Sequence, residues 1–432
     1  ALPMVISMLV NSLYNIVDSF FVAQVSEDAM TAISIVYPLQ NLANAVGVGF
    51  GVGINAAVAY YLGAGSGKAA NRSATLGIIL SALHGIVLAG ICVLFIRPFI
   101  SMFTDSEEIV AYGLDYFYIV IAFAPVLTLG MAFEKVLQAT GKMKTTMFCM
   151  AIGAVANIIL DPIFISGLGA IPAMGVFGAA LATGIGQSLS LISYIAVFLL
   201  AKIPVRLRLE RRGEEKICRK LYYVGIPASL NLALPSFMIT VLNAILAAFA
   251  EVYVLILGVY YKLQTFIYFT ISGIVQGIRP LMSYNLGAGR KDRVIGIFKV
   301  TLLLSLGVMV IGTILCLAVP KQLMDIFTDT PQTMEQGAVA LRIISAGFIV
   351  SAISVVVSGS FEALGKGMPS LIISLLRYIA ILPIALLMSY LFQAAGVWHS
   401  FWITELLSAV VSCILFWRLF YKDCTKQSCE CV

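Results

Sequence analysis

Charged residues are scarce in this sequence, and their scarcity excludes most classes of soluble protein. Asp, Glu, Lys and Arg make up 11% of the 432 residues, whereas a soluble domain carries about 25%. Hydrophobic residues make up 61%, and the mean hydropathy is +1.01. The ten-residue alternating segments of an outer-membrane barrel are also missing. Apolar segments of about 20 residues, the length of a membrane-spanning helix, recur instead. The chain is therefore predicted to be a membrane protein.

Histidine is nearly absent as well. The two histidines, His84 and His399, are too few and too far apart for a zinc centre. Three of the eight cysteines crowd the C-terminal end, at Cys424, Cys429 and Cys431. We expect free thiols there, because we place this tail on the reducing side of the membrane, with a soft-metal site as the alternative.

Twelve apolar segments predict an all-α membrane protein with twelve transmembrane helices. No secretory signal peptide is visible, and because the chain opens within a spanning segment without an initiator Met, we expect a short preceding segment. The predicted spans are 1–25, 31–62, 74–97, 109–133, 146–166, 173–201, 221–250, 253–285, 294–319, 334–361, 370–393 and 397–417.

Positive charge is distributed unevenly over the loops between these spans. Loops rich in Lys and Arg alternate with loops that carry mainly Asp and Glu, and the longest cationic loop lies at 202–220. Because cationic loops stay in the cytoplasm, both termini are predicted to be cytoplasmic. The same loops account for the net charge of +6, so a nucleic-acid partner is not predicted.

The sequence also repeats itself. Short matches recur 224 residues apart, and later matches 221 residues apart. They are LGAG at 62–65 and 286–289, FTD at 103–105 and 327–329, QATGK at 138–142 with EALGK at 362–366, and GVF at 175–177 with GVW at 396–398.

This register predicts two six-helix bundles in the same orientation. The N-terminal bundle is expected at 1–201 and the C-terminal bundle at 221–417, with a basic cytoplasmic linker at 202–220 and a cytoplasmic tail at 418–432. Parallel repeats of this kind are typical of secondary transporters, in which the substrate cavity lies between the halves.

Two acids lie deep within predicted spans. Asp18 falls in the first span and Asp161 in the fifth, where a charge costs roughly 2.5–3.5 kcal/mol. Asn11 and Tyr14 share one helical face with Asp18, and Asn157 lies one turn before Asp161. Two carboxylates in one pocket would repel each other and so favour binding of a proton or a small cation.

The repeat separates a functional role for these acids from a structural one. Asp18 corresponds to Leu242 and Asp161 to Leu382, so the second half lacks both carboxylates. Acids needed only for folding would be expected in both halves, and the asymmetry therefore favours function. The alternative is that each acid is a satisfied polar group within the helix packing.

Several other side chains are candidates for a substrate cavity. Lys262 and Glu405 are charged residues within spans, although Lys262 also has the length to reach the interface. Aromatic and methionine side chains suit a cavity for cations, with ordinary packing as the alternative. The tentative cavity set is Asn11, Tyr14, Tyr37, Lys262, Met282 and Glu405. Three more charges lie near predicted cytoplasmic ends and are interpreted as structural, namely Glu134, Glu362 and Arg377.

Across nearly its full length the chain resembles the multidrug and toxic compound extrusion (MATE) family, in the bacterial branch near the DinF and MepA exporters. The motifs that carry the resemblance are LPMVISMLVNSLYNIVDSFFVA, GAG after the second span, QATGKMK, ANIILDPIFI, GVFGAALAT and GIPASL. The resemblance implies two six-helix lobes around a central cleft. It also implies a cation site in the N-terminal lobe, carried by the motifs to Asp18, Asn157, Asp161 and Thr183. The stretch NLALPSFMI lacks the seventh-helix acid of other branches, so coupling is expected in the N-terminal lobe.

The expected function is secondary active efflux of lipophilic, mostly cationic compounds against H⁺ or Na⁺ by alternating access. No enzymatic activity and no cofactor are predicted, and the only metal ion expected is a possible Na⁺ at Asp18, Asn157 and Asp161. The expected location is a bacterial plasma membrane, with a monomeric chain and small-molecule drugs as partners. The nearest alternative is a flippase for lipid-linked oligosaccharides, and an intramembrane enzyme or a channel is less consistent with the matched halves.

Overall fold

The computed structural model describes residues 2–23, 25–167, 172–208, 216–328 and 330–421. These ranges are almost entirely helical. The helices are α1 (Leu2–Ala23), α2 (Glu27–Gly63), α3 (Gly67–Ser101), α4 (Glu107–Ala122), α5 (Ala124–Ala139), α6 (Met143–Ser166), α7 (Gly175–Leu200), α8 (Ile217–Ala247), α9 (Glu251–Gly287), α10 (Lys291–Ala318), α11 (Pro320–Asp325), α12 (Pro331–Ser345), α13 (Phe348–Ala363), α14 (Gly367–Tyr378) and α15 (Ile381–Phe416), followed by a π-helical turn (Trp417–Tyr421).

The helices account for the predicted spans. Within the described ranges, eight helices are long and apolar enough to cross a membrane, or ten when each of two bent pairs counts as one span. The first predicted span corresponds to α1, of which Leu2–Tyr14 counts as a shorter apolar helix, and the segment Gly367–Phe420, counted as one above, corresponds to the last two predicted spans. The chain is thus an all-α membrane protein, as predicted, and the helices fit a twelve-span arrangement.

The helices differ from the predicted spans at three places. Two predicted spans are each broken into two helices, and the last two predicted spans are joined through one kinked helix. Helices α4 and α5 meet at 42°, and α12 and α13 meet at 51°. Pro125 lies in the first turn of α5, where its missing N–H breaks no helical hydrogen bond, and Gly347 separates α12 from α13. Helix α15 joins the last two predicted spans through a kink at Phe392 and Gln393, and Gln393 has a φ of 54°.

The sequence repeat has a counterpart in the backbone. Helices α2 and α9 are both 37 residues long and begin 224 positions apart. The loops that follow them turn at Gly65 and Gly289, each with a φ of 71°, and the later pair Gly141 and Gly365 has φ values of 83° and 73°. Glycine takes this left-handed conformation without a steric penalty, so the repeated GAG and GK motifs are loop-closing turns.

The chain forms two compact units, Leu2–Ser229 and Leu230–Val432. Their boundary falls inside α8, after the end of the linker predicted at 202–220. The first turns of α8 belong with the N-terminal unit because they pack tightly on α2. A Cβ added to Gly53 would lie 2.5 Å from the carbonyl oxygen of Leu221, and Val224 packs with Val52 in the same small core.

The described part of the predicted linker is fixed to the N-terminal unit. The backbone N–H of Arg206 donates to Asn71 Oδ1 at 2.7 Å, and that of Arg208 donates to Thr75 Oγ1 at 2.9 Å. Val205 is buried in the same region. Positions 209–215 of the linker and positions 422–432 of the tail, with its three cysteines, lie outside the described residues.

Candidate functional site

The site begins with two helices that approach each other unusually closely. A Cβ on Gly186 of α7 would lie 2.7 Å from the Gly153 carbonyl oxygen of α6. A Cβ on Gly153 would in turn collide with the Gly186 carbonyl group. Small residues at an interface let membrane helices pack backbone to backbone. This contact sets the distance between the polar side chains that follow on both helices.

Asn157 links the two helices beside this contact. Its Nδ2 donates to Asp161 Oδ1 at 3.1 Å and approaches Thr183 Oγ1 at 3.4 Å. All three residues are buried, and Asp161 is fully so. The i, i+4 spacing places Asn157 and Asp161 on one face of α6, as the sequence predicts, and the structure brings Thr183 to the same face.

Asp18 approaches this group from α1, which packs against α6. Its carboxyl group lies near enough to Asp161 to interact with it electrostatically. Its Oδ1 atom is buried and has no hydrogen-bond partner. The four residues predicted for a cation site, Asp18, Asn157, Asp161 and Thr183, therefore come together in the N-terminal unit.

Two further polar residues border the site and were not predicted. Tyr116 of α4 is buried, and its hydroxyl group lies 3.5 Å from Gln40 Oε1 of α2. The same hydroxyl group interacts electrostatically with Asp18, Tyr14 and Asp161. Tyrosine and glutamine are ordinary residues at helix contacts. In the sequence, the one signal for Tyr116 and Gln40 is that each places a polar group within an apolar span.

The donor atoms of the site suit a hard cation or a proton. Three buried oxygens have no hydrogen-bond partner, namely Asp18 Oδ1, Asp161 Oδ2 and Asn157 Oδ1. A buried polar atom without a partner costs free energy, and a buried carboxylate costs more unless it is paired. Hard cations prefer oxygen ligands, and protonation of one carboxyl group would also relieve the repulsion. Among the described residues, no three His, Cys, Asp or Glu side chains cluster as a transition-metal site would need.

The residues predicted for a substrate cavity are dispersed. Asn11 and Tyr14 are partly buried on the face of α1 that carries Asp18, and Tyr37 of α2 is 56% exposed. Met282 of α9 is fully buried in the hydrophobic core of the C-terminal unit. Core packing therefore describes Met282 better than contact with a ligand.

Lys262 of α9 does line a cavity, within the C-terminal unit. The cavity has a volume of about 640 Å³, and Lys262 Nζ lies 5.6 Å from the centre of the Phe327 ring. The rest of the lining is apolar and comes from Ala247, Val254, Leu255, Gly258 and Val259. The sequence-based assignment of Lys262 to a substrate cavity stays a prediction.

Glu405 is paired with a base in the C-terminal unit. Arg377 Nε donates to Glu405 Oε1 at 2.7 Å, and the two side chains are 10% and 13% exposed. Arg377 lies ten residues into α14, about 15 Å along the helix axis. The expectation that Arg377 lies near a cytoplasmic end stays a prediction, and the structure shows Arg377 as a buried partner of Glu405.

The other two charges interpreted as structural are also in buried ion pairs. Glu134 Oε1 lies 3.0 Å from Lys135 Nζ, with both side chains nearly inaccessible. Glu362 pairs with Arg279 and accepts a hydrogen bond from Asn231 at 2.9 Å. Both pairs lie next to the left-handed glycine turns, at equivalent ends of the two units.

Comparison with known proteins gives a family match in both halves. The model of the MatE family matches residues 3–163 and 227–387, two segments that begin 224 positions apart. The multidrug export protein MepA of Staphylococcus aureus (strain N315) is 28% identical over 427 residues, which cover 97% of this chain and 92% of that protein.

Solved structures share the fold. A MATE crystal structure described as being in the bent conformation has a TM-score of 0.91 at 24% identity, covering 99% of this chain and 95% of that one. A transporter of the MOP superfamily from Pyrococcus furiosus has a TM-score of 0.87 at 22% identity, covering 96% and 92%. The second structure is described as having a binding pocket of reversed polarity that suggests a different function. The fold alone therefore does not decide the substrate.

Proposed function

This chain belongs to the MatE family, and we propose that it exports lipophilic, mostly cationic compounds in exchange for H⁺ or Na⁺ by alternating access. It is a multi-pass membrane transporter rather than an enzyme. The family relationship to multidrug export proteins supports the substrate class. The proposed location is a bacterial plasma membrane, with both termini in the cytoplasm and a single chain as the working unit.

The observation that carries the proposed ion coupling is the set of unpartnered buried oxygens between α1, α6 and α7. Asp18, Asp161 and Asn157 each contribute one. Asn157 also holds Asp161 in position through its Nδ2 hydrogen bond at 3.1 Å. In the proposed mechanism these oxygens take up one ion, which offsets the repulsion between the carboxylates and draws α1 towards α6. Release of the ion reverses that change.

Tyr116 and Gln40 have a positioning role in this proposal. The Tyr116 hydroxyl group faces both carboxyl groups and is held beside Gln40 at 3.5 Å. Its O–H donates to Gln40 Oε1 in the structure, and it would turn from Gln40 to donate to an ionised carboxylate and turn back when an ion takes its place. Tyr116 therefore couples the state of the site to α4 and α2.

The available driving force is large enough for export against a gradient. Moving one charge across 100 mV supplies about 2.3 kcal/mol, and one pH unit supplies about 1.4 kcal/mol. Because about 1.4 kcal/mol corresponds to a tenfold concentration ratio, exchange of one proton for one neutral substrate would sustain a gradient of more than about a hundredfold. Exchange of one proton for one monovalent cation moves no net charge, so the pH gradient alone would sustain about a tenfold ratio per pH unit.

The test is ion-driven uptake of ethidium into proteoliposomes that contain the purified protein. We expect Asp18→Asn and Asp161→Asn each to reduce uptake to the level of protein-free liposomes. Asp115→Asn is the matched control, because Asp115 is an exposed residue of α4 next to Tyr116, and it should transport normally. Uptake that persists in both site variants would overturn the ion-coupling proposal.

Two additions to this assay separate the remaining choices. Uptake with Na⁺ replaced by choline at a fixed pH gradient identifies the coupling ion.

Flipping of a fluorescent lipid-linked oligosaccharide tests the alternative function. That alternative needs a cationic cavity for a diphosphate group, whereas the N-terminal site presents two carboxylates. Lipid movement without ethidium transport would replace the proposed substrate class.

A further inference from the structure

The C-terminal unit contains a buried charged cluster that the proposed mechanism does not use. Arg377 of α14 pairs with Glu405 of α15 at 2.7 Å, and its Nη2 donates to the hydroxyl oxygen of Tyr268 at 2.9 Å. The Tyr268 hydroxyl group in turn lies 2.7 Å from Ser351 Oγ. Four helices therefore meet at one polar centre, which we call the Arg377 cluster (Tyr268, Ser351, Arg377 and Glu405).

The Arg377 cluster occupies the place in the second half that corresponds to the proposed ion site in the first half. Glu405 directly follows Thr404, which is 221 positions after Thr183. Arg377 lies before the break at which the offset changes from 224 to 221, so it corresponds to Gly153, one helical turn before Asn157 on α6. The Arg377–Glu405 pair therefore joins the last two spans within about one helical turn of the level at which the Asn157–Thr183 contact joins α6 and α7.

The charges at the two places differ in a way that matters for ion binding. The proposed ion site of the first half has two carboxylates, Asp18 and Asp161, and the site residues described above (Asn157, Thr183, Tyr116 and Gln40) include no base. The second half has one carboxylate with a guanidinium group already in contact. A guanidinium group remains protonated under all physiological conditions, so the Arg377 cluster has no vacancy for a cation.

We propose that Arg377 is a tethered cation that takes the place of the coupling ion in the C-terminal unit, leaving one ion-exchange site per transporter. This inference rests on the proposed function, because it assigns all ion exchange to the N-terminal unit. Glu405 Oε2 is buried without a hydrogen-bond partner. Without Arg377, both oxygens of Glu405, the Tyr268 hydroxyl group and Ser351 Oγ would present an oxygen set of the kind that hard cations bind.

The remaining groups around Glu405 supply no alternative charge. The titratable and charged groups that act on this cluster are Arg377 of α14, the tyrosines of α9 and Tyr378 at the end of α14. Arg377 also lies over two tyrosine rings, with its Cζ 5.0 Å from the centre of Tyr268 and 5.5 Å from that of Tyr378. The guanidinium group is therefore the one cation among these residues, and its removal leaves Glu405 alone.

The experiment measures the effect of Na⁺ and of pH on the thermal unfolding of the purified full-length protein. It uses an Asp18→Asn/Asp161→Asn background, in which the N-terminal site no longer responds to ions. An ion that binds only the folded state raises the unfolding temperature. We expect the background protein to show no response when NaCl replaces choline chloride, or when the pH is lowered from 8 to about 5.5.

Adding Arg377→Met to this background should create a response. Breaking a buried ion pair is strongly destabilising, so the unfolding temperature should fall by roughly 5 °C or more. Part of that loss should be recovered in NaCl or at acid pH, where Glu405 gains a cation or a proton. Adding Glu405→Gln as well should abolish the recovery, and Arg377→Lys, which keeps a tethered charge, should show none.

Arg279→Met is the matched control in the same half. It breaks the buried Arg279–Glu362 pair, which lies outside the register of the ion site, and it should lower stability without a Na⁺ response. An equal Na⁺ response in Arg279→Met would overturn the inference, because any released carboxylate would then suffice. If Arg377→Met yields no folded protein, either in NaCl or at acid pH, the inference also fails. A Na⁺ response in the background protein itself would also overturn the inference, because an ion would then bind outside the N-terminal site. A wild-type protein that responds to Na⁺ and pH no more than the background would instead contradict the proposed N-terminal site, so the two failures are distinguishable.

Discussion

A single methyl group on α7 should disable the candidate site, because Gly186 sits where α6 and α7 touch. In Gly186→Ala the new Cβ would lie 2.7 Å from the Gly153 carbonyl oxygen and 3.2 Å from Asn157 Cβ. Since an ordinary carbon–oxygen contact is about 3.4 Å or longer, the helices must separate by about 0.5 Å or more. Overpacking of this kind costs about 1–3 kcal/mol.

The same displacement reaches the polar network. The Asn157 Nδ2 to Thr183 Oγ1 distance is already 3.4 Å, so a further 0.5 Å takes it beyond the range of a hydrogen bond. Asn157 would then be free to turn, and Asp161 would lose its oriented donor. We therefore expect Gly186→Ala to lower both the unfolding temperature and the apparent affinity for the coupling ion.

The control is the same substitution at a glycine with space around it. A Cβ on Gly90 of α3 would meet no atom within 4 Å, so Gly90→Ala should leave folding and transport unchanged. Thermal unfolding and ion-dependent ethidium uptake are measured for both variants. If Gly186→Ala is as stable and as responsive to the ion as Gly90→Ala, the close contact does not position the site.

Two further predictions concern the buried groups. Lys135→Met leaves Glu134 buried without its partner at 3.0 Å and should lower the free energy of unfolding by about 3–5 kcal/mol. In thermal unfolding, the double variant Glu134→Gln/Lys135→Met should recover most of that loss. Equal losses in the single and double variants would contradict this prediction. Met282→Ala, at a position with 0% exposure, should cost about 2–5 kcal/mol and leave the relative uptake of different substrates unchanged. A Met282→Ala variant with wild-type stability and a changed substrate profile would instead support the assignment of Met282 to the substrate cavity.

The spans and the repeat could be predicted because they depend on long-range patterns. A span needs about 20 apolar residues, and a repeat needs one register held across several helices. The bends within the fourth and tenth spans could not be predicted, because they depend on one or two backbone positions such as Phe123 and Gly347. The boundary between the compact units depends in the same way on one position, because Gly53 lets the first turns of α8 approach α2 closely.

The candidate site was predictable to the extent that its residues are rare in a membrane. Asp18 and Asp161 stand out because a carboxylate costs free energy there, and Asn157 follows from helical spacing. Tyr116 gives no such signal, because tyrosine is common at helix interfaces. The pairing of Arg377 with Glu405 joins residues 28 positions apart, and neither periodicity nor composition reports a contact across such a distance.

The difference between the halves has a geometric origin in the eleventh span. Helices α6 and α14 begin 224 positions apart, yet Pro162 and Pro383 are 221 apart, so the second half lacks three residues between these points. Three helical residues advance the chain by about 4.5 Å and turn it by about 300°. Their loss from a straight helix would move every later side chain about 60° off its face.

Helix α6 is continuous here, whereas the second half breaks after α14, where the Ala380 N–H donates to the Leu375 carbonyl oxygen at 3.3 Å. That bond spans five residues rather than four, so the backbone makes a wider turn where the missing residues would lie. The break follows Arg377 and Tyr378, so Arg377 still corresponds to Gly153 of the first half, and α14 carries a guanidinium group where α6 carries the glycine that contacts α7.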